Sequence, residues 1–515
     1  MTINFVLTLI LPNFLANAAI MNDTLGGASS MDRRTFVELA ATSALAFTIV
    51  PRHVLGGKNH IAPSDKITLA YIGCGTQGLR ELLPMLSVPG IQVISVCDPN
   101  RDAVGYMDWS KDGLRDDIRT ALGKKDWSPG GDNAVAGGRE NGKSVVDTYY
   151  KSTGCTAYAD FRELLDKEKD LDAVKIMTPD HLHGVFAMAA LKRNKHVLMH
   201  KPLSNRLLEG KAVVDLARKS NSITHLVPWD SNGPMDQVMQ WINSGAIGTL
   251  KEVHNWTNRP VWPQFSALPT GVTPVPEGLD WNLWLGPEAD RPYSPNYTNM
   301  VFRGWYDFGG GSMADMGHYS LWTVFNALQL ESPTIIDPSF SHFVGRGDHV
   351  PDFTPNDFSF PLASTVRFAY PAKGIDLFWY DGGMKPPVPV ELLDEGLPGE
   401  GMMFTGEHGK ILTGFNIQNP RLLSQKGVVS PPAGQTDKMA AALQLFVDAC
   451  KSGKQYPGSF REAEYLTEAV NLYAVALRSG RQLRYDAATR RITNVVEANK
   501  YLSREYRAGW DPASI

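Results

Sequence analysis

From Asp65 onward, short apolar runs alternate with longer segments of mixed pattern, the rhythm of strands alternating with helices. Ile67–Ile72 and a second apolar run ending at Asp98 read as strands with a helix between them. A polar, glycine-rich stretch from about Arg101 to Gly142 then breaks the rhythm. It is too long for an ordinary connection and reads as an insertion, helical around Gly113–Leu122. The alternation resumes at 161–165, with a strand at 173–177, a loop at 178–183 and a helix at 184–193. A strand at 196–199, a helix at 207–220 and a strand near 224–227 complete it. Such alternation predicts a parallel sheet covered on both faces.

After Trp229 the texture changes. A helix at 235–244 leads into alternating, half-polar strands at 251–257, 364–370, 375–379 and 409–412, with long Pro- and Trp-rich loops from 259 to 306. Helices follow at 439–451 and 462–479, and then a polar tail. This pattern predicts an α/β fold whose second part is a mostly antiparallel, half-exposed sheet with helices on one face. The chain therefore divides into a leader (1–60), a first domain (65–228) and a second domain (229–515).

The junction between the first two strands carries the first chemical signal, Gly73-x-Gly75-x-x-Gly78. Gly73 permits a tight turn, Gly75 lets backbone approach a pyrophosphate, and Gly78 lets helix and strand pack closely. Thr76 and Gln77 sit at the helix start, where free N–H groups and the helix dipole favour phosphate. Asp98, at the end of the second strand, is placed to accept hydrogen bonds from an adenosine ribose. Its charge disfavours a 2′-phosphate, so NAD is expected over NADP.

A net charge of −4 offers no electrostatic footprint for nucleic acid. Cys74, Cys97, Cys155 and Cys450 match neither a disulfide framework nor a metal site, and no metal is expected. Within the leader, residues 5–15 form an apolar run followed by Ala16-Asn17-Ala18, with no preceding Lys or Arg. A second candidate begins at Met31, where Arg33-Arg34 precede a mild apolar segment to Val50, the pattern of a twin-arginine export signal. Met31 is the expected initiator and the periplasm the expected destination. No later run reaches the ~20 apolar residues of a membrane span.

Thr178-Pro179-Asp180-His181-Leu182-His183, Lys195-His196-Val197 running to His200-Lys201-Pro202, Trp281 to Pro287, Phe302 to Gly311, and Asp315-Met316-Gly317-His318-Tyr319 resemble the Gfo/Idh/MocA oxidoreductases. The resemblance covers nearly all of 65–515 and implies an N-terminal Rossmann domain, a C-terminal open-sheet domain and an active site between them. It implies proton transfer by Lys201, cofactor contacts from Thr178, Pro179, His181, His183, His200 and Lys201, and a homo-oligomer. A lysine beside a cationic nicotinamide ring has its charged form disfavoured, which brings it toward the range of a useful base.

Two positions depart from the family pattern. His200 stands where Glu is usual, and it can either depress the Lys201 pKa or relay a proton. The usual catalytic His four residues after Asp315 is replaced by Tyr319, with His318 at three. His318 is preferred as the base, since i+3 and i+4 share a helix face, with Tyr319 as the rival because a phenol can also hand over a proton. Asp315 orients the base or binds a substrate hydroxyl. Trp229, Asp230, Arg303, Trp305 and Tyr306 combine stacking faces with hydroxyl-binding groups and are the expected sugar contacts. The expectation is NAD-dependent oxidation of a sugar or glycoside hydroxyl. The alternatives are a redox-neutral glycosidase and a non-catalytic sugar-binding relative. Because NAD is scarce outside the cytoplasm, an exported enzyme is expected to retain it tightly.

Overall fold

Strand β1 (Ile67–Ile72) is apolar at nearly every position because both its faces are covered. Leu69 and Tyr71 point into one core cluster, while Ala70 and Ile72 point into another on the opposite face. The computed structural model describes residues 61–106, 110, 112–131, 134–227, 233–342, 345–346, 351–352, 356–424, 427–429 and 439–515. The expected export signal and the candidate sugar contacts Trp229 and Asp230 lie outside the described residues.

Beside β1 run β2 (Ile91–Cys97), β3 (Thr156–Tyr158), β4 (Ala173–Ile176), β5 (His196–His200) and β6 (Thr224–Val227). All six are parallel, in the order β3-β2-β1-β4-β5-β6. The order reverses between β1 and β4, and ligands of open parallel sheets bind outside the strand ends at that point. The covering helices are α1 (Thr76–Leu86), α2 (Gly113–Leu122), α3 (Arg139–Tyr150), α4 (Phe161–Lys167), α5 (Asp180–Lys192) and α6 (Leu207–Lys219).

Two segments differ from the sequence reading. Residues 139–142, assigned to the insertion, open helix α3. A Cβ on Gly142 would lie 2.7 Å from Cys74 Sγ, so the glycine that makes the segment look like a loop is what lets α3 reach the glycine turn. The expected loop 178–183 ends at Pro179, and α5 begins at Asp180. Twelve of the thirteen α5 residues are buried, so no polar stripe marks its start.

The second part contains α7 (Gly233–Asn243), β7 (Leu250–Trp256), α8 (Trp281–Leu285) and a π-helical turn (Met313–Gly317) that runs into α9 (His318–Leu328). Then come β8 (Ile335–Ser341), the short pair β9 (Gly345–Arg346) and β10 (Pro351–Asp352), β11 (Ala363–Tyr370) and β12 (Ile375–Asp381). β13 (Gly401–Gly406), β14 (Lys410–Thr413), β15 (Arg421–Ser424) and β16 (Gly427–Val429) follow. The chain closes with α10 (Met439–Ser452), α11 (Glu464–Ser479), β17 (Leu483–Asp486) and β18 (Arg491–Ile492). Ten strands form one sheet in the order β16-β15-β14-β13-β7-β12-β11-β8-β17-β18, antiparallel apart from the β7–β12 pair. One face shares its core with the first sheet, through α9 and α11.

The C-terminal segments return to the first sheet. Phe446 and Val447 of α10 join the core beside α1, where Gly90 leaves the room that a Cβ 2.6 Å from Val447 Cγ1 would take. Leu226 N donates to Gly458 O at 2.9 Å, and Gln455 Nε2 donates to Thr224 O at 2.8 Å, so the free edge of β6 is covered. The expected polar tail is packed instead. Leu502 and Trp510 are buried, and Arg504 Nε lies 2.6 Å from Glu209 Oε1. Among the described residues no helix is long and apolar enough to cross a membrane.

Candidate active site

A cavity of about 800 Å³ opens at the strand-order reversal. Its floor is the turn after β1 with the ends of β2, β4 and β5, and its far wall carries Arg259, Arg303, Asp315 and Tyr319 from the second part. Gly73 has φ +100°, and a Cβ there would lie 2.6 Å from the Met177 carbonyl carbon. A Cβ on Gly78 would lie 2.2 Å from Gly73 O. Gly75, Thr76 and Gln77 line the cavity, and no side chain caps the start of α1. That helix end is an anion cradle of the kind a dinucleotide's pyrophosphate requires.

Asp98 closes the same end of the cavity. Its Oδ2 accepts from Cys74 N at 2.7 Å and its Oδ1 from Asn100 N at 2.8 Å. Burial lifts its pKa to about 6, against the pull of those two bonds and of Arg139. Thr178 and Pro179 line the wall beside it.

At the other end stands Lys201, carried past the β5 terminus and only 4% exposed. Its Nζ donates to Asp315 Oδ1 at 2.7 Å. Arg303 Nε lies 3.3 Å from the same oxygen, and Arg259 Nε lies 3.5 Å from Oδ2. Burial lowers the Lys201 pKa, with Asp315 opposing and Arg303 assisting. Burial would raise Asp315, but Lys201, Arg303 and Arg259 outweigh it and hold the carboxyl at about 2. The result is a fixed carboxylate facing a lysine whose charged form is disfavoured.

His200 and Tyr319 also line the cavity, and His200 Nε2 is 3.1 Å from Tyr319 Oη. Lys201 Nζ lies 5.2 Å from the Tyr319 ring centre. Burial drives the His200 pKa down to about 3, so the ring is neutral. His318, the expected base, is 1% exposed and lines no part of the cavity, whereas Tyr319 does. The cause is the π-helical turn at 313–317. A π turn closes over one more residue than an α turn, so i+4 stays on the face of residue i while i+3 falls short.

Other expected contacts divide. Arg303 faces the cavity, but Trp305 and Tyr306 do not. Trp305 is 1% exposed, with Nε1 donating to Asn296 O at 2.7 Å, and Tyr306 is buried against Phe360. His181 and His183 lie inside the fold, not on the cavity wall. His181 Nε2 is 2.9 Å from Trp284 O, and His183 Nδ1 is 2.5 Å from Pro202 O, which ties α5 to the segment after Lys201. Sequence reading missed Arg259, Tyr106 and Trp510 on the wall, and Glu81 with Lys175 behind His200. Lys175 carried a readable signal, a charge inside the apolar strand Ala173–Ile176 that demands a buried partner.

A levoglucosan dehydrogenase from Pseudarthrobacter phenanthrenivorans is 35% identical over 94 residues, covering 18% of this chain and 24% of that protein. A dTDP-3,4-didehydro-2,6-dideoxy-alpha-D-glucose 3-reductase from Saccharopolyspora spinosa is 28% identical over 166 residues, covering 32% and 39%. The chain thus spans less than half the length of either relative. Among solved structures, an aldose–aldose oxidoreductase from Caulobacter crescentus complexed with glycerol superposes with a TM-score of 0.47 at 15% identity, over 81% of this chain and 99% of that one. Residues 133–227 match the Gfo/Idh/MocA oxidoreductase family, NAD-binding Rossmann fold, and residues 235–336 and 388–512 match its C-terminal alpha/beta domain. These spans exceed half of the sequence, and the chain belongs to the Gfo/Idh/MocA oxidoreductase family.

Proposed function

We propose that the protein is an NAD-dependent oxidoreductase acting on a hydroxyl of a sugar or glycoside, with Lys201 as the proton-transfer residue. The observation that carries this reading is a single cavity that runs from the glycine turn to the Lys201–Asp315 pair. The Gly73–Gly78 turn and the uncapped start of α1 fit a dinucleotide pyrophosphate, and Asp98 fits a ribose without a 2′-phosphate. When bound, the nicotinamide supplies the hydride acceptor. Asp315 holds the Lys201 amine by hydrogen bond, and Arg303 and Arg259 keep Asp315 ionised. Lys201 then takes the hydroxyl proton at Nζ, and Tyr319 offers a second oxygen to the same region of the cavity. The named activities of the two relatives, a sugar dehydrogenase and a sugar-nucleotide ketone reductase, support a carbohydrate substrate. Purified protein given NAD⁺ and a panel of sugars and glycosides is expected to build up the NADH band. Aglycone release with no net NADH would sink this reading in favour of redox-neutral glycoside cleavage.

That second reading has its own support in Arg33-Arg34 and the mild apolar segment after them. Folded export by the twin-arginine route would carry a retained NAD to a compartment where free NAD is scarce. A dinucleotide reduced and re-oxidised within one turnover then needs no external supply. Changing Arg33 and Arg34 to Lys together is expected to abolish export of a reporter fusion; unchanged export would remove the argument.

A further inference from the structure

Behind the cavity floor lies a row of buried polar groups that the proposed proton transfer to Lys201 does not use. Glu81, on α1 and 5% exposed, accepts from Lys175 Nζ at 2.7 Å through Oε2. Its Oε1 accepts from Gln77 Nε2 at 3.1 Å and stands 3.5 Å from His200 Nδ1. The far nitrogen of that imidazole, Nε2, is 3.1 Å from Tyr319 Oη on the cavity wall. Three elements distant in sequence, α1, β5 and α9, thus bring a carboxylate, an imidazole and a phenol into line.

We infer that Glu81 is a positioning residue that fixes the tautomer of His200, and that His200 in turn fixes the hydroxyl of Tyr319 so that its oxygen faces the substrate as an acceptor. The inference rests on the oxidoreductase reading above and adds to it a second group that holds the substrate beside Lys201. An ionised carboxylate can only accept, so the His200 proton belongs on Nδ1, facing Glu81. Nε2 is then a bare acceptor, and the Tyr319 O–H must donate to it. That leaves the phenol lone pairs for the cavity. The substrate proton goes to Lys201 Nζ, while the Tyr319 oxygen, its own proton engaged by His200 Nε2, accepts a hydrogen bond from the substrate and holds it in place. The electron pair of the broken O–H bond stays on the substrate oxygen, and His200 remains neutral throughout. His200 is faced by Glu81 from α1, Lys175 from β4, Lys201 from its own strand end, His183 from α5 and Tyr319 from α9. A glutamate at position 200, the residue usual in the family, would face Glu81 at close range. Histidine instead converts that carboxylate into a held tautomer.

The tautomer can be read without any substrate. In full-length protein carrying ¹⁵N-histidine, with the His200 signals assigned by their loss in His200→Gln, Nδ1 is expected protonated and Nε2 bare. Glu81→Gln should shift the ring toward the other tautomer, and Tyr319→Phe should move the Nε2 resonance without changing the tautomer. Glu81→Gln leaves the Lys175 ammonium buried and unpaired, so Glu81→Gln with Lys175→Met is the companion variant that removes this burden. Protonated Nε2 in the unaltered protein, or a tautomer that ignores both Glu81 variants, overturns the inference. On a sugar that the protein oxidises, Glu81→Gln should lower kcat by about tenfold or more at unchanged KM, and cost nothing further on top of Tyr319→Phe. Two losses that multiply would also overturn it. A protein that oxidises no sugar but shows the expected tautomers defeats the oxidoreductase reading and leaves the positioning chain standing.

Discussion

Asp315 gathers the Lys201 amine and the guanidinium groups of Arg259 and Arg303 around one buried carboxylate, and that crowding sets the chemistry of the pocket. Lys201→Met is expected to lower kcat by ~10²–10⁴-fold, the range of a lost acid–base group, while NADH affinity measured by fluorescence titration stays within a few-fold. Asp98 makes a different prediction at the opposite end. Its pKa of about 6 means that below this pH the carboxyl is protonated and loses an acceptor for the ribose hydroxyls. NAD affinity should therefore fall as pH drops through about 6, and calorimetry should show protons released on binding in that range. Asp98→Asn should flatten the pH dependence and narrow the preference for NAD over NADP. Lys201, Asp315 and Asp98 were legible because each stands at a recognisable strand end or motif. Glu81 was not, since nothing local in α1 reveals that its polar partners Lys175 and His200 come from β4 and β5.

Strands and helices were read well where period and length agreed, as in β1, β4, α6 and α11. They were misread where a tertiary demand overrode the local pattern, as with Gly142 inside α3 and the wholly buried α5. The π turn at 313–317 is the most consequential case, because one extra residue in a helical turn exchanged Tyr319 for His318 at the cavity. What holds that turn is visible below it. Ser312 and Tyr473 donate to Asp381 Oδ2, the latter at 2.6 Å, and Ser364 N donates to Oδ1 at 2.7 Å. Asp381→Asn turns one acceptor oxygen into a donor amide amid these donors. It is expected to cost about 1–3 kcal/mol in chemical denaturation and to reduce kcat through displacement of Asp315 and Tyr319. Unchanged stability would mean that the turn is held by α9 alone.

Across the whole molecule, the nucleotide end of the cavity is bounded by segments from both parts. Asn100 bridges to Leu279, Arg101 N donates to Gly278 O at 2.9 Å, and Asp280 N donates to Pro99 O at 3.0 Å. Trp510 completes the wall near Phe161 and Leu182, with the Arg162 guanidinium 4.3 Å from its ring centre. Trp510→Ala, and separately Leu279→Gly, should accelerate NADH release in stopped-flow fluorescence by about tenfold for each 1.4 kcal/mol of contact removed. An unaltered release rate in both would place the barrier elsewhere. The return of α10 to the first sheet has a consequence for the birth of the protein. Phe446 and Val447 arrive more than 350 residues after Gly90, so a ribosome partway through the message holds a nucleotide-binding sheet with one apolar flank bare. The core beside α1 is therefore complete only once the chain has been made through residue 452.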